Sequence, residues 1–514
     1  MTSVYKFLLR TTTLVGAMTL ISRVLGLVRD VLIARLFGAG IASDAFFVAF
    51  KIPNFFRRLF AEGAFSQAFI PVLTEHKQLI NPREPGALIG SVFGLMSVAL
   101  FAIVLVGILS APIFILIFAP GFVNGGEKFE LSVLLLRITF PYLLFISLTA
   151  LLGGALNVYR RFAVPALTPA LLNVSLILCA ICLSPRLDEP IVGLAIGVLV
   201  GGGCQLVMQY LAFRGLKIEW KVRFRADHSG VRQIFKLMVP AIFGVSVAQI
   251  NLIVDMVIAS FLITGSISWL YYSDRIIEFP LGIFGIAMAT AILPTLSKQA
   301  SEKDSLAFRK TIGWSMRWVW LIGVPAAAGT VILAAPILTT LFAYGEMGQF
   351  DIMQSTQSLA AYAIGLPAFI CIKVLAPGYF ARQDTVTPVK IGIIALLTNI
   401  VLNLVLVSYL DHVGLALATS LSAWLNATLL WVGLKKKNLI VGGFGGRLFL
   451  PRVFLATGLM VIVANLFTKP SQAWLYLPVL DRVTELTLAV LIAMVVYFGT
   501  LLLSGLKKKE ILMQ

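Results

Sequence analysis

Long apolar runs separated by short polar loops follow one another from about residue 13 to about residue 505. A helix rises 1.5 Å per residue, so roughly 20 mostly apolar residues cross the hydrocarbon core of a bilayer. Divided on that length, the chain predicts fourteen spanning helices, at about 13–38, 41–74, 88–118, 130–158, 163–184, 190–213, 230–263, 266–297, 307–343, 353–381, 386–409, 412–434, 447–468 and 483–505. The fold class expected is an all-α polytopic membrane protein. No polar stretch between the runs is long enough to fold as a water-soluble domain. The first run carries Arg23 and Arg29 and lacks a small-residue cleavage site, so it reads as a retained helix rather than a signal peptide.

Charge then orients these helices. One set of alternate loops is basic: Lys6 and Arg10, Lys77 and Arg83, Arg160 and Arg161, Arg214 to Lys236, Lys298 to Lys310, Arg382 and Lys390, Lys435 to Lys437 with Arg447, and Lys507 to Lys509. The opposite set holds little beyond Lys128, Arg186, Lys469 and Arg482. Cytoplasmic loops concentrate Lys and Arg, which places both termini in the cytoplasm. The composition agrees, with 59% hydrophobic residues, 12% charged residues and a mean hydropathy of +0.96. The net charge of +18 is explained by these loops and needs no nucleic acid partner. Topology also accounts for the Lys triplets, although such clusters can hold anionic membrane lipids. Cys179, Cys182, Cys204 and Cys371 all lie in apolar segments and read as core packing. His76, His228 and His412 are far apart and suggest no metal site.

Two parts of the chain echo each other. "RDVLIARLFGAGIASDAFF" with "AEGAFSQAFIPVL" is answered by "VDMVIASFLITGSISWLYYSDRIIEFPLGIFGIAMATAILPTL", and "YRRFAVPALTP" by "YFARQDTVTP". The offset is about 220 residues throughout. Each copy holds six helices, an even number, so the copies have the same orientation. The expected organisation is a six-helix lobe at 1–225, a second at 226–437, and an additional helix pair at 438–514 outside the repeat. Transporters built from parallel repeats place substrate between lobes that rock.

Charges inside the apolar runs point to chemistry. The stretch "FKIPNFFRRLFAEGAF" carries Lys51, Arg57, Arg58 and Glu62. Asp44, Lys51, Arg58 and Glu62 follow at i, i+7, i+14 and i+18, the spacing of one helix face, with Arg57 beside them. The first run adds Arg23 and Asp30, again seven apart, and Arg29. The eighth adds Asp274, Arg275 and Glu278. Such groups are costly in lipid and mark functional sites by default. They predict a hydrated cavity lined by the first, second, seventh and eighth spans. Part of the set can pair internally, Asp30 with Arg23 or Arg29 and Glu62 with Arg58. Cations nevertheless exceed acids in the first copy, and guanidinium groups hold phosphate by paired planar hydrogen bonds. An anionic, phosphorylated substrate is expected. Pro53-Asn54 interrupts the stripe, and Pro280, Pro141 and Pro367 interrupt other spans; each is a candidate kink, static or gating.

"SRVLGLVRD", "DAFFVAFKIPNFFRRLFAEGAFSQAF", "YYSDRIIEFPLGIFG" and "KVLAPGYFARQDTVTPVK" resemble the lipid II flippase family (MurJ, also called MviN), within the multidrug/oligosaccharidyl-lipid/polysaccharide exporter superfamily. The resemblance covers essentially the whole chain. It implies movement of lipid II, an undecaprenyl-pyrophosphate carrying the peptidoglycan disaccharide-pentapeptide, from the inner to the outer leaflet of the bacterial cytoplasmic (inner) membrane by alternating access, with wall-synthesis enzymes as possible partners. It also implies that Arg23, Arg29, Arg58, Arg275 and Asp44 are required, and that the last two helices form a groove for the lipid tail. Some members bind sodium, at positions matching Asp255, Asn399, Asn403 and Thr419; Asn403 stands where those members have an acid. A membrane potential acting on cavity cations, about 2.3 kcal/mol per charge per 100 mV, is the expected driving force.

Other functions fit less well. A drug-cation exporter of the same fold would show unpaired carboxylates with few cations in its first lobe. An enzyme acting on the same lipid would need a catalytic base or metal ligands, usually on a larger external loop. No GxxxxGK[ST] phosphate loop is present, which argues against direct use of ATP. No filter-like element suggests a channel.

Overall fold

The structure is a computed structural model that describes residues 2–78, 84–224, 229–440 and 448–506. It is helical throughout, with no strand among the described residues. Ten helices among these residues are long and apolar enough to cross a membrane, with Val386–Lys436 counted as one. Each expected span falls on a helix, or on helical pieces joined by a short break. The chain divides into two compact units, Met1–Gly265 and Ser266–Gln514.

The first unit contains α1 (Thr2–Phe37), α2 (Ile41–Phe56), a π-helical segment (Arg57–Phe65), α3 (Ser66–Gln78), α4 (Glu84–Leu109), α5 (Ala111–Phe118), α6 (Glu127–Thr139), α7 (Tyr142–Val158), α8 (Ala163–Leu178), α9 (Val192–Arg214) and α10 (Ser229–Ser260). The boundary by contact, at Gly265, differs from the repeat boundary expected near residue 225. α10 opens the second sequence copy, yet it packs against the π segment and α3 of the first. Val231 and Ile234 of α10 join a buried cluster with Phe65, Phe69, Leu88 and Phe213.

The segment joining α9 to α10 explains part of this attachment. Gly86, Gly90 and Gly94 lie four residues apart on α4 and form a groove along one face. The backbone of Glu219, Lys221 and Arg223 runs in that groove, so close that a Cβ on Gly90 would stand 1.9 Å from the Lys221 carbonyl oxygen. The Arg223 N–H donates to Gly90 O at 3.1 Å. Trp220 anchors the segment edge-on against Phe93 and Phe213. A side chain at Gly90 would expel this strap. Gly90→Val is expected to destabilise the protein by about 1–3 kcal/mol, as overpacking does. Lys217 and Lys221 already have exposed side chains, and releasing the backbone between them should speed trypsin cleavage there in opened membranes; unchanged cleavage would contradict this packing.

The second unit contains α11 (Ser266–Pro280), a π-helical segment (Leu281–Ile286), α12 (Ala287–Ser301), α13 (Ser305–Ile332), α14 (Ala334–Phe342), α15 (Gln349–Phe380), α16 (Val386–Lys436), α17 (Phe449–Phe467), α18 (Ser471–Tyr476) and α19 (Val479–Leu503). The two spans expected at 386–409 and 412–434 form α16, broken at Asp411, whose φ is 48°. α17 and α19, the pair outside the repeat, pack on each other, and α17 packs on α13. Val453, Ala456, Met460 and Ala493 fill that contact, and the Tyr497 hydroxyl donates to Leu321 O at 2.6 Å. Arg482 at the start of α19 is buried and donates to the carbonyls of Leu475, Leu477, Thr339 and Ala343, which ties α19 to the end of α14.

Between α15 and α16, Asp384 accepts from the Lys437 ammonium at 2.5 Å and from the Thr387 amide at 3.0 Å. Lys437 above all, then the Thr387 amide, holds its carboxyl down to about 2. The folded value is below the ordinary one, so the stabilisation is complete above about pH 4 and is lost as pH falls towards 2. Both side chains are partly exposed, which limits the pair to about 0–1 kcal/mol. The difference in thermal unfolding between the protein and Lys437→Met should therefore shrink through that pH window. A difference that stays constant would show that the carboxylate is not its source.

Candidate functional site

Charged residues of the first unit separate into a buried, internally paired set and a more accessible set. Arg29 and Asp30 are both buried. The Arg29 guanidinium donates to Asp30 Oδ1 through Nε at 2.9 Å and Nη2 at 2.6 Å, and to Asn173 Oδ1 through Nη1 at 2.9 Å. Asn173 in turn donates to Ser22 O at 2.9 Å. This network joins α1 to α8, and the expected pairing of Asp30 falls on Arg29. Asn173 carried no sequence signal, because a single Asn in an apolar run is ordinary helix–helix glue.

Asp44, at the start of α2, is 1% exposed. Its Oδ2 accepts from Lys128 Nζ at 2.8 Å and from the Gly265 backbone N–H at 2.8 Å. Lys128 is itself buried and lies 4.3 Å over the Phe122 ring. The sequence placed Lys128 in a loop; a lone Lys on the nearly uncharged side of the chain was the signal available for a buried role. Asp44 therefore ties the beginning of α2 to the beginning of α6 and to the segment after α10.

Further along α2, Pro53 has no N–H to give Ala49 O. The buried Thr139 hydroxyl of α6 supplies that bond at 3.2 Å. Asn54 donates to Phe50 O at 2.8 Å and accepts from Arg57 Nε at 3.0 Å. The Pro-Asn interruption is thus satisfied in place and leads directly into the π segment. Lys51 and Arg57 are half-buried, and Arg58 is exposed. Arg23, half-buried on α1, has no hydrogen-bond or ion-pair partner among the described residues. Glu62 belongs to the π segment, but its side chain lies outside the described residues. The stripe of Asp44, Lys51, Arg58 and Glu62 crosses that segment, whose i→i+5 bonding widens the turn, so a 3.6-residue register does not carry through it.

The second unit repeats the pattern. Pro280 ends α11 and leads into a π segment beginning at Leu281. Arg57 and Leu281 are separated by the offset that relates Asp30 to Asp255, to within one residue. π turns cluster at functional positions, and here they fall at matching places in the two copies. Before Pro280, Arg275 donates to Glu278 Oε2 at 2.7 Å and to the Tyr271 hydroxyl at 3.1 Å. Asp274 and Glu278 are exposed and Arg275 is half-buried.

The residues matched to a sodium site lie in both units. Asp255, on α10, accepts from Asn251 at 3.3 Å. In α16, Asn403 donates to Asn399 Oδ1 at 2.9 Å, and Asn399 Nδ2 lies 3.5 Å from the hydroxyls of Thr419 and Ser422. These three matched side chains of α16 are neutral and engage one another, or nearby hydroxyls, by hydrogen bonds. A hard cation is held best by sets that include carboxylate oxygen. α16 supplies none of these at the matched positions, and no cluster of three or more His, Cys, Asp or Glu occurs among the described residues.

Residues 33–484 match the family model described as Lipid II flippase MurJ. The chain is 48% identical to the probable lipid II flippase MurJ of Vibrio cholerae, over 99% of this chain and 98% of that protein. It is 45% identical to the Haemophilus influenzae counterpart, over 96% and 99%, and 39% identical to the Burkholderia cenocepacia lipid II flippase MurJ, over 96% of each. Among solved structures, lipid II flippase MurJ in an inward closed conformation superposes with a TM-score of 0.79 at 28% identity, over 95% of this chain and 98% of that one. An inward-facing multidrug transporter of the MATE family superposes with a TM-score of 0.68 at 15% identity, over 83% and 98%, a likeness of fold.

Proposed function

This chain belongs to the lipid II flippase MurJ family, and we propose that its intramembrane cations carry the pyrophosphate of lipid II from the inner to the outer leaflet of the bacterial cytoplasmic membrane. It is a transporter of a peptidoglycan precursor and not an enzyme.

One observation supports the pyrophosphate reading above the others. Asp30 and Asp44 are both buried and are engaged by Arg29 and Lys128. The first sequence copy carries Arg23, Arg29, Lys51, Arg57 and Arg58 against Asp30, Asp44 and Glu62, an excess of cations. Moving such a cation surplus into a membrane calls for an anion. Pyrophosphate suits it, since Arg forks match phosphate oxygens in paired hydrogen bonds. In this reading Arg275 is a further substrate contact, Asp274 and Glu278 orient it, and the buried pairs of the first unit hold the helices that carry its cations. Alternating access is proposed as the mechanism. The matching Pro and π segments of α2–α3 and α11–α12 are proposed as the places where helices bend. α17 and α19 are proposed to hold the undecaprenyl tail.

Both termini are placed in the cytoplasm, on the strength of the Lys and Arg distribution. Wall-synthesis enzymes are the proposed protein partners. The membrane potential is the proposed driving force, returning the unloaded cationic carrier inward. Sodium would need the Asp255 carboxylate together with Asn399, Asn403 and Thr419. The mutual bonding within α16 favours a hydrogen-bonding role for those three residues.

Depletion of the protein is expected to leave lipid II out of reach of an externally added enzyme that cleaves only its outward-facing form. Cleavage that persists after depletion, with no second flippase present, would overturn the reading. In reconstituted vesicles, exchanging sodium for potassium is expected to leave transport unchanged, whereas collapsing the potential should slow it. The opposite pattern would assign coupling to sodium.

A further inference from the structure

The helix α15 changes its exposed side partway along its length. In its outer half Phe350, Met353, Gln357 and Ile364 are exposed and form one stripe. A helix turns about 100° per residue. Lys373 follows Ile364 by nine residues and so points to the opposite side. It too is exposed, as is Phe380 a further seven residues on, with Phe369 and Ala376 partly exposed beside them. Leu366, Ala368, Ile370, Cys371, Val374 and Leu375, all buried, occupy the rest of the circumference. The outer stripe carries no charged residue. The inner-half stripe turns away from it and carries a cation.

The position of Lys373 is built rather than incidental. The side-chain Cγ lies 3.6 Å from where a Cβ on Gly285 would stand, so its aliphatic stem rests on the π segment of the second unit. That segment continues α11, which carries Asp274, Arg275 and Glu278. Lys373 has no hydrogen-bond or ion-pair partner among the described residues, whereas Arg275 is held by Glu278 and Tyr271. It sits seven residues, about 10 Å of helix rise, from the inner end of α15.

We infer that Lys373 is a further substrate-binding residue of this flippase, an ammonium on α15 that contacts the pyrophosphate of lipid II at the inner half of the second unit. The inference rests on the pyrophosphate reading above and adds a second cation to the unit where that reading names only Arg275. Lys is a compact point charge, so it can follow a phosphate whose orientation changes, where a fixed Arg fork cannot. A lysine this near the helix end could instead reach the inner-leaflet headgroups, and the test separates the two.

Lys373→Ala, Lys373→Arg and, as a test of the underlying reading, Arg58→Ala are compared for lipid II binding by the purified protein and for outward lipid II in cells. Lys373→Ala is expected to weaken lipid II binding on the order of tenfold, the worth of one charge-assisted contact, and to reduce flipping at normal expression. Lys373→Arg should restore most of the binding but less of the flipping, and binding of undecaprenol, which lacks phosphate, should not change. Unaltered lipid II binding by Lys373→Ala, with Arg58→Ala impaired, would overturn the role of Lys373 and leave the pyrophosphate reading standing. Equal loss of undecaprenol binding would also overturn it, since a charge contact cannot act there. If neither variant affects lipid II binding, the pyrophosphate reading itself fails.

Discussion

Lys128→Met is expected to lower the stability of the protein by about 3–5 kcal/mol, the cost of leaving a buried carboxylate without its partner. Asp44 is 1% exposed and Lys128 7%, so water cannot replace the lost ammonium. The Gly265 N–H remains as a donor but supplies no full charge. Adding Asp44→Leu to Lys128→Met should recover much of the loss, because removing both members of a buried pair is often nearly neutral. Asp44→Leu alone should be severe for the mirrored reason. Unfolding midpoints in detergent across this double-mutant cycle measure the coupling. Additive single effects would show that the pair does not act as a unit. Recovery of stability without recovery of flipping would give Asp44 a second role, in transport.

The second large effect is on transport and leaves folding intact. Arg58 is exposed, so Arg58→Ala should change stability by no more than about 0.5 kcal/mol, as surface substitutions do. Flipping should nevertheless fall about tenfold to a hundredfold if its guanidinium binds pyrophosphate, given roughly 1.5–3 kcal/mol for hydrogen bonds to charged groups. Arg58→Lys should recover part of this, since an ammonium keeps the charge and loses the paired geometry. Arg29→Ala provides the contrast. It leaves Asp30 buried beside Asn173, so its loss of transport should come with a fall in unfolding midpoint. Outward-facing lipid II, measured at matched expression, separates these outcomes. Full flipping by Arg58→Ala would remove Arg58 from the substrate site. An equal fall in midpoint for Arg58→Ala and Arg29→Ala would make both structural.

These contrasts decide how the intramembrane charges are to be understood. All of them are costly in lipid, and costliness alone does not separate a binding group from a structural one. Arg29 and Arg58 carry the same side chain and belong to the same sequence stripe system. Burial and a second partner make one a tie between α1 and α8, and exposure leaves the other able to meet a ligand.

The sequence by itself determined the helical membrane fold, the internal repeat, the charged stretches and the family. Apolar run length, alternation of loop charge and the motif around Lys51 to Phe65 are local properties, and a bilayer leaves a chain few ways to satisfy its backbone except by helices. It also marked Pro53 and Pro280, since proline removes a backbone donor wherever it stands. Only the tertiary structure decided which charges pair. Asp44 with Lys128 and Arg29 with Asn173 join residues 84 and 144 positions apart, and no periodicity relates such partners. The π turns escaped the sequence for a related reason: a 3.6-residue register is an assumption about every turn, and one widened turn redirects everything beyond it. The attachment of α10 to the first unit was likewise invisible in the repeat. It depends on Gly86, Gly90 and Gly94 admitting a backbone strap more than a hundred residues away, and a glycine shows its purpose only when the atoms occupying the space it leaves are known.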